Sequence, residues 1–470
     1  SVCLQLLVDS KANVEARDGQ GESALCAAAN SGHTTCVQVL ADARADINGR
    51  NDFGKTPLMS AVSLGHTACS QLLVHLKADV NAEDNTRTTV LMHSVQKGHV
   101  TCAQILLDAR AHVNAKDLSE RSALMSAVMK GHAACVQLLI DRNADLEAYD
   151  SEGYTPLIWA AIIGRSECVQ LLIDAKVSIN SDTLCEEKLP LMWAAPNGHT
   201  ACVQLLIDAR PWVNWRDSSD KTALIHAVSK GHVECARILI RARSDIHARY
   251  YHLGPTVLAL AAMKGHTPCL QLLLDPWTNP GIYKALKWAV KRDDPVQLRL
   301  LMDVIKRKKA AFKIREEMLQ WAVKCGSSSC AQLLIDAKVD LESKEQKSHM
   351  TALMLAVDKS RTECTKLLIN AKANTDAVDR YGRTALIIAA RKGQVACLKL
   401  LLGAKADMGI TTPEGKDALM MASSHDHPVC VKLLLAAKAD ANANADNYVS
   451  ALNFAACHGY TACVQLLVNA

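Results

Sequence analysis

The 470-residue sequence predicts an all-α solenoid of paired antiparallel helices with short β-hairpin-like turns. Three observations carry that prediction. The segment Thr56-Pro57-Leu58-Met59-Ser60-Ala61-Val62 recurs in altered form along the whole chain, and self-similarity at a steady period marks a repeat architecture. Hydrophobic residues make up 49% of the chain but aromatic ones only 4%, with three Phe in all, so the core must be built from Leu, Ala, Val, Ile, Met and Cys. Small and aliphatic side chains suit closely packed helices. Fourteen of the eighteen cysteines fall at one position of the period, which makes them part of the repeat.

Counterparts of the segment begin at Ser23, Thr89, Ser122, Thr155, Leu189, Thr222, Thr256, Thr351, Thr384, Asp417 and Ser450, mostly 33 residues apart, with weaker copies near Lys284 and Glu317. Within a unit, a turn such as Asp52-Phe53-Gly54 precedes a first helix from Thr56 to about Leu64. Pro57 falls in its opening turn, where the missing N–H costs nothing. Gly65-His66 breaks the chain. A second helix from Thr67 to about Leu76 sets Cys69, Leu72 and Leu73 on one face, and the extended Ala78-Asp79-Val80-Asn81-Ala82 leads to the next turn. Neither helix is long enough to be stable alone. Stacking the pairs buries a continuous core.

This unit resembles the ankyrin repeat family, whose pattern is a turn, T-P-L-H-x-A, G-H, a Leu-rich second helix and A-D-V-N-A. Fourteen starts, preceded by half a repeat at residues 1–20, extend the resemblance over essentially the whole chain. It implies an ankyrin-repeat solenoid that binds macromolecules, with partners docking on hairpin tips and the inner face of the first helices.

Two departures from the pattern are systematic. The resemblance implies a His after T-P-L that bonds within the turn. Its place holds Met59, Met92, Met125, Ile158, Met192, Ile225, Met354, Ile387 and Met420, among others, an apolar contact for a polar one that puts hairpin rigidity in question. The Gly after the second helix is replaced by Lys11, Arg44, Lys77, Arg110, Asn143, Lys176, Arg210, Arg243, Lys338, Lys372, Lys405 and Lys438. A left-handed backbone there would cost roughly 1 kcal/mol per residue, of which a cation at a helix C-terminus recovers about 0.3–1 kcal/mol. Such a cationic row could hold an acidic surface, but flanking Asp42, Asp46, Asp174 and Asp208 favour a self-neutralised, solvated edge.

The repeated cysteines are Cys3, Cys36, Cys69, Cys102, Cys135, Cys168, Cys202, Cys235, Cys269, Cys330, Cys364, Cys397, Cys430 and Cys463. Equivalent positions in stacked repeats lie about 8–10 Å apart, beyond the ~7 Å Cα separation that a disulfide tolerates. They read as buried small hydrophobes in a reducing, intracellular compartment, the cytoplasm first, with an organelle or the nucleus allowed. The recurring His-x-x-Cys, as in His33 and Cys36, puts the His at an exposed helix start and the Cys inside, so neither a metal site nor a cofactor is expected.

The net charge of +5 is modest for this length and does not argue for nucleic acid. No stretch approaches the ~18 consecutive apolar residues of a membrane span; peripheral membrane contact stays open. No Ser-His-Asp, paired-carboxylate or Gly-rich phosphate motif stands apart from the repeat. Neither catalysis nor a small-molecule substrate is expected.

What varies between repeats points to the binding surface. Tips of the middle repeats carry Tyr149, Tyr154, Trp212, Trp215, Tyr250 and Tyr251, and the nearby first helices add Trp159, Ile162, Ile163 and Trp193. Apolar and aromatic groups exposed together resemble interface anchors. The competing reading is that several pack against neighbouring tips and stiffen the array.

The consensus dissolves over 272–316, where one repeat starts only 28 residues after its predecessor (256 to 284). This divides the chain into an N-terminal arm, 1–280, a degenerate repeat and basic joint, 281–316, and a C-terminal arm, 317–470. The joint carries Lys306, Arg307, Lys308, Lys309, Lys313 and Arg315, either a solvated helix end or an anion-binding cluster. The chain starts and stops inside second helices with no polar capping repeat, which suggests a longer native chain or covered ends. The leading expectation is a scaffold or adaptor that holds protein partners in a larger assembly. The alternative is a regulatory cytosolic region of a larger channel or enzyme; a weaker one is a binder of anionic lipid or nucleic acid.

Overall fold

In the computed structural model, residues 2–180, 189–250, 254–274, 281–305 and 311–470 are described. They hold twenty-nine α-helices and no β-strand, only isolated bridges such as Glu83 to Thr89 and Lys116 to Ser122. Each repeat pairs a first helix such as Pro57–Ser63 with a second such as Thr67–His75. Thr56 does not join the first helix but caps it, its Oγ1 accepting the Met59 N–H at 3.3 Å. Ser23, Thr89, Ser122, Thr155, Thr222, Thr256, Thr351, Thr384, Asp417 and Ser450 do the same. A cap of this kind contributes about 1 kcal/mol.

This bond is kept where the family His is absent. The residue after T-P-L supplies a backbone N–H to the cap and a side chain to the core. Met59, Met92 and Met125 are fully buried, and Ile158, Met192, Ile225, Met354, Ile387 and Met420 are buried with them. The turn keeps its rigidity from another residue, at its start. Asp84 Oδ1 accepts the N–H groups of Thr86 and Thr88 at 2.8 and 3.0 Å. Asn51, Asp117, Asp150, Asp217 and Asp379 close their turns in the same way. Short Asx side chains fold back readily on the backbone two residues on.

The conditional expectation for the second departure is met at every position. All twelve residues that replace the family Gly are left-handed, from φ 55° at Lys338 to 68° at Lys438. Arg44 N–H bonds the Ala41 carbonyl at 2.9 Å and Ala45 N–H the Leu40 carbonyl at 3.0 Å, the double closure of a Schellman end. Those bonds satisfy carbonyls that would otherwise be orphaned, and this is what holds a lysine or arginine in a strained backbone.

Three kinds of polar rung join successive repeats. Asn48 Oδ1 accepts the Asp79 N–H at 2.8 Å, and Asn81 Oδ1 accepts that of His112 at 2.7 Å, which gives the Asn of A-D-V-N-A its role. Arg50 donates to the Glu83 carbonyl at 2.8 Å and Arg216 to that of Arg249 at 3.3 Å, linking adjacent tips. The His of Gly-His supplies the third rung: Nε2 of His66, His99, His199 and His232, and of His427, which follows Asp426, bonds a carbonyl at the end of the preceding first helix at 2.9–3.2 Å. These rings stand at the helix start, as expected from sequence, but are half-buried between repeats where exposure was expected. Arg165, Arg292 and Arg361 occupy the same place against Gly131, Gly265 and Gly326.

Cys69 and eleven more of the repeated cysteines are buried, Cys36 is half-buried and Cys3 is exposed; none of the described cysteines is in a disulfide. Burial pushes the thiols of Cys135, Cys168 and Cys202 up to about 11. The column is broken once, by fully buried Gln297, which donates to Thr267 Oγ1 at 3.0 Å while its Oε1 has no partner.

The described chain divides into two compact units, 1–253 and 254–470, so the shortened repeat lies inside the second. Its first helix, Ile282–Lys291, starts at left-handed Gly281, where a Cβ would stand 2.3 Å from Thr256 Oγ1. The first helix of the following repeat, Ala311–Cys325, extends six residues ahead of the weak copy at Glu317.

Candidate functional site

Among the expected interface residues, one turn and two first helices bring three into one cluster. The Tyr154 ring meets Trp159 and Trp193 edge-to-face, at 5.3 and 5.5 Å between centroids. Trp159 Nε1 donates to Asp150 Oδ2 at 2.8 Å, and the Arg121 guanidinium stands 5.5 Å from the Trp159 ring. Asp150 is the residue whose other oxygen closes its own turn, so Trp159 braces the turn from the helix. His93 on Asp84 and His226 on Asp217 are built alike, at 2.9 and 2.7 Å. Trp193 Nε1 is buried without a hydrogen-bond partner. All three rings of the cluster are half-buried, as are Ile162 and Ile163 at the end of the helix Pro156–Ile163.

The tips hold the more accessible rings. Trp212 is 45% exposed and stacks on Trp215, with centroids 5.2 Å apart and planes at 27°. Tyr149 is 49% exposed, with Lys116 Nζ of the preceding tip 5.2 Å from its ring centroid. Half-buried Tyr250 has Lys221 Nζ at 4.7 Å. Tyr251 lies outside the described residues. The expected set therefore has two parts: rings that brace turns, and tip rings that stand out beside a lysine or another ring.

A further group was overlooked in the sequence. Lys287 Nζ lies 4.6 Å from the ring centroids of both Tyr283 and Trp321, and Lys291 Nζ 4.7 Å from that of Trp288. The Tyr283 hydroxyl donates to Glu317 Oε2 at 2.7 Å; burial and that carboxylate push its pKa up to about 12. The signal was available, because Trp288 and Trp321 stand four residues after the weak starts Lys284 and Glu317, as Trp159 and Trp193 do after Thr155 and Leu189.

The cationic row is exposed throughout, and none of its members forms an ion pair with a described carboxylate. The flanking acids have partners of their own: Asp42, Asp174 and Asp208 accept from Gln38, Gln170 and Gln204 at 2.7–2.8 Å, and Asp46 from the Asn48 N–H at 2.9 Å. The row and these acids do not pair with one another, although neighbouring Arg142 donates to Asp108 Oδ1 at 2.8 Å on the same edge. In the basic joint, Lys313 is exposed and Arg315 half-buried on the helix Ala311–Cys325, while Lys306, Arg307, Lys308 and Lys309 lie outside the described residues. No helix among the described residues is long and apolar enough to cross a membrane, and they contain no cluster of three potential metal ligands.

Stacked helix pairs, side-chain-closed turns and rungs one period apart define a repeat protein of the interaction-module class. The family model for ankyrin repeats, in its three-copy form, matches residues 1–84, 44–117, 91–183, 178–250, 319–412 and 396–470. The chain belongs to the ankyrin repeat family, whose repeats are generally protein–protein interaction modules and typically non-catalytic. The unmatched stretch, 251–318, contains the shortened repeat. A search of curated proteins returns no significant match.

Proposed function

We propose that the chain is a non-catalytic scaffold or adaptor, and that partners dock on the tips and first-helix faces of the middle repeats in the first unit. The observation that carries this reading is the stacked Trp212–Trp215 pair, held at a tip with Trp212 45% exposed. Large rings left accessible on a rigid support lose little entropy when a partner covers them, and Trp and Tyr dominate interface energetics. Tyr149 and Tyr250 extend the surface along neighbouring tips. Ile162, Ile163, Tyr154, Trp159 and Trp193 form its half-buried floor.

The test is crosslinking mass spectrometry on native complexes, repeated with Trp212→Ser/Trp215→Ser. Crosslinks from a partner onto tips and first helices between 149 and 250, lost in the double variant while helicity and melting stay near wild type, are expected. Crosslinks that persist in the variant, or an array that melts much earlier, would assign the pair to packing.

A further inference from the structure

The second unit contains a cavity of about 570 Å³ framed by the helices Pro295–Ile305, Ala311–Cys325 and Ser328–Asp336. Its walls include Arg299, Met302, Arg315, Ser329, Gln332 and Leu333. A volume of this size is ordinary for a small-ligand or side-chain pocket.

The charges in it are unevenly committed. Asp336 accepts from Gln332 Nε2 at 2.7 Å, and Asp303 likewise has a partner. Exposed Arg299 and half-buried Arg315 have none: neither guanidinium makes a hydrogen bond or ion pair among the described residues, and the Arg315 Nε is buried without an acceptor. A buried unsatisfied donor carries a desolvation penalty that a bound acceptor removes. Two guanidinium groups beside a hydroxyl suit an oxyanion, which arginine grips with paired donors. Met302, Leu333 and Ala337 add apolar surface to the lining, which a bare ion would leave uncovered.

We infer that this pocket accepts a carboxylate carried on an apolar arm, with Arg315 and Arg299 on the carboxylate and Met302 and Leu333 on the arm. The inference does not depend on the aromatic tips of the first unit. The chemistry could come from an acidic side chain of a bound polypeptide or from a free organic acid.

Met302 provides a local reporter. The full chain, labelled with ¹³C at the methionine methyls and assigned through Met302→Leu, would be titrated with hexanoate, with N-acetyl-Leu-Glu-Leu-amide and with inorganic phosphate. A saturable Met302 shift with hexanoate or the peptide is expected, weakened roughly tenfold in Arg315→Gln and in Arg299→Gln, both checked for unchanged melting. A response to the peptide alone identifies a polypeptide source; a response to hexanoate alone identifies a free acid. No Met302 shift, a shift with phosphate only, or equal affinity in the arginine variants would overturn the inference.

Discussion

The imidazole of His132 lies against Gly98 of the repeat before it. A Cβ on Gly98 would stand 2.7 Å from Nδ1, while Nε2 donates to the Gln96 carbonyl at 3.2 Å. Gly-His is therefore two half-motifs, each serving the neighbouring repeat: the Gly makes room for the next ring, and the His reaches back to the previous helix end. Gly98 is itself left-handed, at φ 78°.

Gly98→Ala should destabilise the array by about 1–2 kcal/mol from backbone strain, and by more because the His132 ring must move. His132→Ala should cost about 1 kcal/mol for the lost bond. In the double variant the displaced ring is gone, so the costs should fall short of their sum by a measurable coupling. Urea unfolding of the four proteins checks this; strictly additive costs would mean the ring does not contact Gly98.

Restoring the family Gly at the end of a second helix should do the opposite. Lys77 is left-handed at φ 64° and exposed, and its side chain makes no hydrogen bond or ion pair among the described residues, so Lys77→Gly removes strain and little else. A gain of up to about 1 kcal/mol is expected, reduced by the greater freedom of Gly in the unfolded chain. Lys77→Ala keeps the Cβ and should show no such gain; thermal melts of the two variants decide.

The His93–Asp84 pair should make the first unit sensitive to acid. Burial of His93 lowers its pKa and outweighs the nearby Asp84 carboxylate. Asp84 is also lowered: burial would raise it, but bonds from Thr86, Thr88 and His93 hold it down. A His whose folded pKa is depressed binds its proton more readily when unfolded, so stability falls as pH drops below the usual imidazole value. The carboxylate acts in the same direction at lower pH, its contribution present above the unfolded Asp value and lost as pH falls through the folded one. The urea midpoint should decline from pH 7 to 5, and His93→Gln should flatten that decline. Equal slopes in both proteins would exclude His93 as the titrating group.

Much of this was legible in the sequence because it is local. Thr56 and Pro57 announce a helix start, Gly65 a break, and the recurrence of Cys69 at one position a buried column; each signal acts within a few residues of itself. The left-handed ends at Lys11 through Lys438 followed from where the family Gly was missing. The turn-bracing role of Trp159 was not legible, because Asp150 lies nine residues away and meets it only after the helix folds back over its own turn. Trp288 and Trp321 were legible but went unread, although they stand four residues after the weak starts Lys284 and Glu317, where Trp159 and Trp193 stand after Thr155 and Leu189.

Period, pairing and core thus follow from residue pattern, since apolar spacing and caps act along a single stretch of chain. The assignment of Asn48 to Asp79, of His132 to Gln96 and of a cavity to Arg299 and Arg315 required the folded stack. Those groups belong to different segments of the chain, the hydrogen-bonded pairs about one repeat apart, and they meet only when each helix pair has settled on the next.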